Sequence, residues 1–257
     1  MKGLRNIIQG IYSFYALALF FITIIPAVVV YLFFLPMPVN RRMRAIYVYN
    51  KIWLGTWARL CGITLITKGA EYLDPRQTYV FILNHCNMLD IIMAGSMIQH
   101  SFKPLIKKEL LRVPFLGQLL AMAAIPVDRS STRSRKESFD RMMAALKEET
   151  SILIFPEGTR NRTSEPLKNF YDGGFRLAIA AQLPILPIAL LNSRHLQPVG
   201  TYFLQPGRVV LEFMEPVPTT GMTKEDVDTL KDQVFERMKA HILTHDVYFQ
   251  QPESVRS

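Results

Sequence analysis

The sequence predicts an α/β fold, a mixed sheet covered by helices, with an N-terminal apolar membrane-anchoring helical segment. Three observations predict it. Phe14 to Leu35 is an uncharged apolar run. From Gly62 onward short β-branched runs alternate with helical patterns, the order expected of helices packed on a sheet. In the last of those patterns Val227, Leu230, Val234, Met238 and Ile242 recur at three- and four-residue steps, the mark of a helix docked by one stripe. The expected boundary lies at residue 61, with anchoring and interfacial helices over 1–61 and the α/β domain over 62–257.

The apolar run exceeds the roughly 20 residues that span a bilayer core. A cleaved signal peptide fits poorly, since no Ala-x-Ala follows Leu35. Pro26 sits inside the run and removes a helical hydrogen bond, so a kink or break is expected there. Two arrangements follow: one kinked transmembrane helix, or two half-helices that dip into one leaflet and return, the latter preferred. Positive charge is denser after the run than before it, which places the body on the cytoplasmic face. Asn40 to Leu60 mixes Arg and Lys with aromatic and aliphatic residues. It reads as a basic interfacial helix, its two tryptophans, Trp53 and Trp57, on one face at the membrane surface, and the bland alternative is a core helix with a wet face.

The charge distribution excludes one class of partner. The chain carries a formal charge of +9, yet its first 70 residues hold eight Lys or Arg and no acidic residue, while the rest is nearly balanced. Excess positive charge beside the most apolar segment suits anionic lipid headgroups, not nucleic acid. The only cysteines are Cys61 and Cys86. They exclude a disulfide framework and a cysteine-rich zinc site and fit a reducing setting.

In the body, Ile63–Thr67, Tyr79–Leu83, Ile152–Phe155, Ile185–Leu190 and Val209–Phe213 read as strands, with Ile125–Val127 a further candidate. Asp90–Ile98, Ser134–Glu149, Gly174–Ala181 and Thr223–Leu243 read as helices.

Asn84-His85-Cys86-Asn87-Met88-Leu89-Asp90 follows a strand and opens a helix. His85 and Asp90, five apart, meet only if the chain turns between them. Asp90 in the first helical turn could then hold the Nδ1 proton of His85 and free Nε2 to accept a proton from a hydroxyl. Two ordinary capping residues are the bland alternative. Phe155-Pro156-Glu157-Gly158-Thr159-Arg160 follows another strand. Its proline and glycine turn the chain so that Glu157, Thr159 and Arg160 project from the sheet edge, where α/β proteins bind ligands. A guanidinium there can grip a phosphate through two hydrogen bonds. Lys107-Lys108-Glu109-Leu110, Val113 to Gly117 and Asp128-Arg129 alone read as helix, turn and strand with basic flanks.

These segments, in this order, resemble the glycerolipid acyltransferase family that includes 1-acylglycerol-3-phosphate acyltransferases. The resemblance covers about residues 60 to 215. It rests on His85-x4-Asp90, Lys107 to Gly117 with Asp128-Arg129, Phe155 to Arg160, and Leu183-Pro184-Ile185-Leu186-Pro187. It implies an enzyme that moves an acyl group from acyl-coenzyme A or acyl-carrier protein to a lysophospholipid hydroxyl, with no cofactor or metal. It further implies His85 as general base, Asp90 as its orienting partner, and Arg160 and Lys107 as the clamp on the acceptor phosphate. Arg129 and Thr159 join the acceptor and donor contacts, Glu157 and Gly158 shape the acceptor pocket, and the proline-rich block lines the donor region. Two departures from the pattern stand out. Asn87 replaces the usual serine, and Phe170-Tyr171-Asp172-Gly173 lacks the lysine of Phe-Lys-x-Gly.

Rival chemistries lack their residues. No Gly-x-Ser-x-Gly is present, and His241 and His245 lack the glutamate of a zinc-protease motif. Cys86 invites a cysteine acyl-enzyme, but neighbouring side chains usually point apart. Arg129 to Arg135 could meet coenzyme A phosphates or be a solvated loop. A non-catalytic lipid-binding relative remains the alternative from another class. Oligomeric state leaves no trace in the sequence.

Overall fold

A computed structural model of the chain describes residues 2–128, 132–198 and 201–251. Two long helices come first, α1 (Lys2–Phe34) and α2 (Val39–Leu60). The order then runs β1 (Ile63–Lys68), β2 (Val80–Leu83), α3 (Asp90–Met97), β3 (Phe102–Lys107), α4 (Leu116–Ala123), β4 (Ile125–Val127), α5 (Thr132–Lys147) and β5 (Ser151–Ile154). It ends with α6 (Gly173–Ala181), β6 (Ile185–Leu191), α7 (Ser193–Leu196), β7 (Gly207–Phe213), α8 (Val227–His245) and α9 (Val247–Gln250). The seven strands form one sheet in the order β1-β7-β6-β2-β5-β3-β4. Every pairing is parallel except β6 with β7, so the sheet is mixed.

Five predicted strands and four predicted helices are present, with ends shifted by a few residues. Ile125–Val127 is also a strand, β4. The strand β3 was not predicted, because Lys103, Pro104 and Lys107 interrupt its apolar pattern. It pairs with β5 from Phe102 to Pro104 and with β4 from Leu105 to Lys107. Pro104, with no N–H to give a ladder, therefore sits where β3 changes partner.

The N-terminal segment departs from expectation in two ways. First, α1 runs unbroken through Pro26, so the preferred break into two half-helices is absent and the single-helix alternative stands, and the chain reverses only in the short link before α2. One stripe of α1, Ala16, Phe20, Ile24, Ala27 and Tyr31, is buried. Burying Phe20, Ile24 and Tyr31 contributes roughly 1.5–3 kcal/mol each, which outweighs the ~3 kcal/mol cost of an internal proline. Second, the tryptophans of α2 turn toward the protein. Trp57 is buried and donates from Nε1 to the Ala16 carbonyl at 3.0 Å, and Trp53 stacks on Phe20 at 5.9 Å. The indoles serve the contact between the two helices, because packing an aromatic stripe there removes more apolar surface from water than a rim position would.

The buried stripe of α1 belongs to the same core as α2, α3 and one face of the sheet. The opposite sheet face packs on α5, α6 and α8 in a second core. Residue 61 thus marks a change of composition and not a gap between cores. The outward side of α1 leaves Ile7, Ile11, Phe14, Ile22, Phe33 and others at least half exposed.

Candidate active site

Adjacent parallel strands bring the site together. β2 lies between β5 and β6, so the segments that leave the C-terminal ends of all three meet at one sheet edge, where open α/β sheets place ligands. Asn84 extends this arrangement beyond the ladder. Its side chain accepts from the Leu190 amide at 2.7 Å and donates to the Leu190 carbonyl at 3.0 Å, stitching the start of the His85 turn to β6.

The turn that the motif requires is present. His85 Nδ1 lies 2.8 Å from Asp90 Oδ2. The same oxygen accepts the Cys86 amide at 2.6 Å and the Asn87 amide at 2.9 Å, so the carboxylate shapes the turn as well as holding the ring. Asp90 is fully buried and the His85 side chain is 20% exposed. An acceptor already bonded to two N–H groups assigns the proton on His85 to Nδ1, which leaves Nε2 as the basic nitrogen. The Phe155 ring stacks on the imidazole at 4.2 Å and fixes its plane.

Glu157 departs from its expected place. It does not project from the sheet edge but turns inward, 1% exposed. Oε1 accepts the His85 amide at 2.8 Å and Oε2 the Lys168 amide at 2.9 Å. Burial pushes its carboxyl up to about 7, against the pull of those two N–H groups. Glu157 is therefore a brace for the His85 backbone, since a desolvated carboxylate needs donors on both oxygens. Gly158 has φ of 71°, a left-handed turn that glycine adopts freely, and it lets the chain reverse after Glu157.

The remaining expected contacts are more dispersed. Arg160 lines a polar pocket of about 400 Å³ with Cys86, Asn87, Arg162 and Gln197. Thr159 is exposed and accepts from Lys168 Nζ at 2.7 Å. Lys107 ends β3, one strand beyond β5, and is exposed and not part of that pocket. Arg129 lies outside the described residues. Asn87 donates to the Ser193 carbonyl at 2.7 Å and accepts from the Leu89 amide at 2.8 Å, so this departure from the pattern closes the turn. Tyr171 is exposed, whereas Asp172 is engaged by Lys231 at 2.9 Å.

Three residues at the site carried no signal in the sequence. Arg162 lines the polar pocket beside Arg160. Asn161 is buried, and its amide donates to the His85 carbonyl at 2.6 Å. Arg194, 3% exposed, donates to the carbonyls of Thr163 and Glu165 at 2.6 and 2.7 Å and lies over the rings of Tyr248 and Phe249. Together Asn161 and Arg194 hold the loop that bears both pocket arginines. Spacing could not reveal Arg194, since its partners lie about thirty and fifty residues away.

Comparison with known proteins places the chain. A family model described as Acyltransferase matches residues 64–191. An uncharacterised acyltransferase of Schizosaccharomyces pombe is 30% identical over 205 residues, 79% of this chain and 74% of that one. The chain belongs to the acyltransferase family. Mouse 1-acyl-sn-glycerol-3-phosphate acyltransferase alpha is 32% identical over 70% of this chain, which spans 64% of the mouse protein. The crystal structure of the 1-acyl-sn-glycerophosphate acyltransferase PlsC from Thermotoga maritima superposes with a TM-score of 0.78 over 95% of this chain and 97% of that one. At 20% identity it establishes the shared fold.

Cys86, the rival nucleophile within this family's turn, is unsuited to the role. Burial pushes its thiol up to about 12, so it stays protonated near neutral pH, and only the thiolate attacks readily. Cys86→Ala is expected to keep acyl transfer within a few-fold of the parent, with no acyl-enzyme detected by intact-protein mass spectrometry. A trapped adduct on Cys86 would reverse the assignment.

Proposed function

We propose that this acyltransferase moves a fatty acyl group from acyl-coenzyme A or acyl-carrier protein to the free hydroxyl of 1-acylglycerol 3-phosphate, giving phosphatidic acid for phospholipid synthesis. The observation that carries the reading is the 2.8 Å contact between His85 Nδ1 and Asp90 Oδ2 beside a pocket lined by two arginines. The acceptor hydroxyl attacks the thioester carbonyl as His85 Nε2 takes its proton. The tetrahedral intermediate then expels the thiolate, which recovers that proton from the imidazolium. No bond to the enzyme forms. General-base assistance is worth roughly 10²–10⁴ in rate, and fixing the acceptor by its phosphate supplies orientation.

Arg160 and Arg162 suit the acceptor phosphate, whose charge a pair of guanidiniums neutralises through forked hydrogen bonds. In this reading Lys107, at the end of β3, acts from outside that pocket, toward the approaching headgroup or the donor. The acyl chain suits a second, half-open apolar cleft between α1, α2, α3 and α4, lined by Phe20, Met43, Leu54, Ile92 and Leu119 among others. Ile91 and Ile92, which line it, follow Asp90 directly in α3.

Association with the cytoplasmic face of a membrane completes the proposal. The outward face of α1 is apolar, while its other side is tied to the body along its length. Ser13 Oγ accepts from the Leu204 amide at 2.7 Å, and Tyr31 donates to Asn50 at 2.8 Å. A helix docked in this way lies in one leaflet more readily than it crosses both, because spanning would carry the polar body into hydrocarbon.

Purified protein given acyl-coenzyme A or acyl-carrier-protein donors and a panel of lyso-acceptors, with products read by mass spectrometry, tests the substrates. Transfer to lysophosphatidate in preference to glycerol 3-phosphate and phosphate-free acceptors is expected. Arg160→Ala and Arg162→Ala are each expected to raise the acceptor KM about tenfold or more, as for loss of a charge-assisted bond, with little change in the donor KM. Equal use of a phosphate-free acceptor would overturn the assignment.

A further inference from the structure

Helix α4 begins on a strained residue. Phe115 has φ of 62° and ψ of −47°, and across it the Leu116 amide donates to the Pro114 carbonyl at 2.7 Å. This is the rarer, strained hand of γ-turn. A side chain holds it only at an energetic cost that glycine would largely escape. The tight reversal itself has a local reason. A Cβ on Gly117 would lie 2.1 Å from the Leu111 carbonyl oxygen, so the start of α4 presses on the residues before it. That contact explains the turn but not a phenylalanine at its tip.

The ring is turned outward. Phe115 is 46% exposed and Leu110 39%, and Arg112 between them is exposed as well. Phe115 makes no ring stack among the described residues, and it does not line the apolar cavity that its neighbour Leu116 lines. Strain kept for a side chain that is nearly half exposed points to a contact outside the protein. Behind the turn α4 packs on α1, whose outward face exposes Phe21, Ile22, Ile25 and Val29.

We propose that the turn from Leu110 to Phe115 is a second membrane-contacting element. Phe115 and Leu110 enter the boundary between headgroups and acyl chains beside α1, and Arg112 meets lipid phosphate. This rests on the membrane reading above and extends it from the N-terminal helix to the body of the enzyme.

The test uses the full chain, with flotation on vesicles of phosphatidylcholine alone or with phosphatidylglycerol, and thermal melting of every variant. Phe115→Gly is expected to raise the melting temperature, by relief of strain, and yet to weaken vesicle partitioning about tenfold. Phe115→Trp is expected to bind at least as well as the parent, and Arg112→Gln to lose binding mainly on the anionic vesicles. Absence of vesicle binding by the parent chain would remove the membrane reading and this one with it. Parent binding matched by Phe115→Gly would overturn this proposal alone. A Phe115→Gly chain that binds normally but shows a raised donor KM would assign the ring to acyl-donor binding instead.

Discussion

His85→Ala is expected to abolish acyl transfer, with a loss at least as large as the roughly 10²–10⁴ that general-base assistance supplies. Vesicle binding and melting temperature should stay close to those of the parent. The ring is a fifth exposed, and its removal leaves the backbone brace from Glu157 in place. Asp90→Asn should separate two roles of the carboxylate. An amide oxygen can still accept from the Cys86 and Asn87 amides, but it holds a developing imidazolium poorly. kcat should therefore fall about 10²-fold or more while the acceptor KM moves little. Thiol release from acyl-coenzyme A at saturating acceptor measures both, and a fully active His85→Ala chain would end the general-base mechanism.

Glu157→Gln is expected to lower activity and stability together. Each carboxylate oxygen of Glu157 takes one backbone N–H, from His85 and from Lys168. Glutamine can accept at only one of those places and presents an NH₂ group to the other. An unsatisfied buried donor costs about 1–3 kcal/mol, so a loss of ~10- to 100-fold in kcat/KM should follow from misplacement of the His85 turn. The same residue predicts a pH dependence. Burial raises the folded carboxyl from 4.5 to about 7, so between those values the folded chain binds more protons than the unfolded one. The stability contributed by this group is fully present below about pH 4.5 and is lost as pH rises through 7. The melting temperature of the parent should carry this downward component over that window, and Glu157→Gln should remove it. Parallel melting profiles for the two proteins would show that Glu157 does not titrate in this way.

Three of the motif residues were legible because each follows a recognisable strand. His85 follows the β-branched run of β2, and Glu157 and Arg160 follow that of β5. Alternation and turn residues suffice to find strand ends. The direction of each side chain was not legible. Glu157 and Arg160 share one six-residue turn, yet one is buried beneath His85 and the other lines the polar pocket. Which of them turned inward depended on donors supplied by residues 85 and 168. Arg162, Asn161 and Arg194 stayed hidden for the same reason, since their roles come from partners far away in the chain. The strand β3 was obscured by Pro104 and two lysines, a pattern that reads as a strand only beside β5 and β4.

The sequence by itself determined that helices cover a sheet, that the first part of the chain is apolar and basic, and that His85 and Asp90 can meet only through a turn. These follow from local periodicity and turn chemistry, which neighbouring residues decide among themselves. Only the tertiary structure decided that α1 continues through Pro26, that Trp53 and Trp57 face α1 and that Glu157 braces His85 from below. Each of those outcomes turns on what a side chain meets across the fold, and burial against a distant partner outweighs the preference of any single residue.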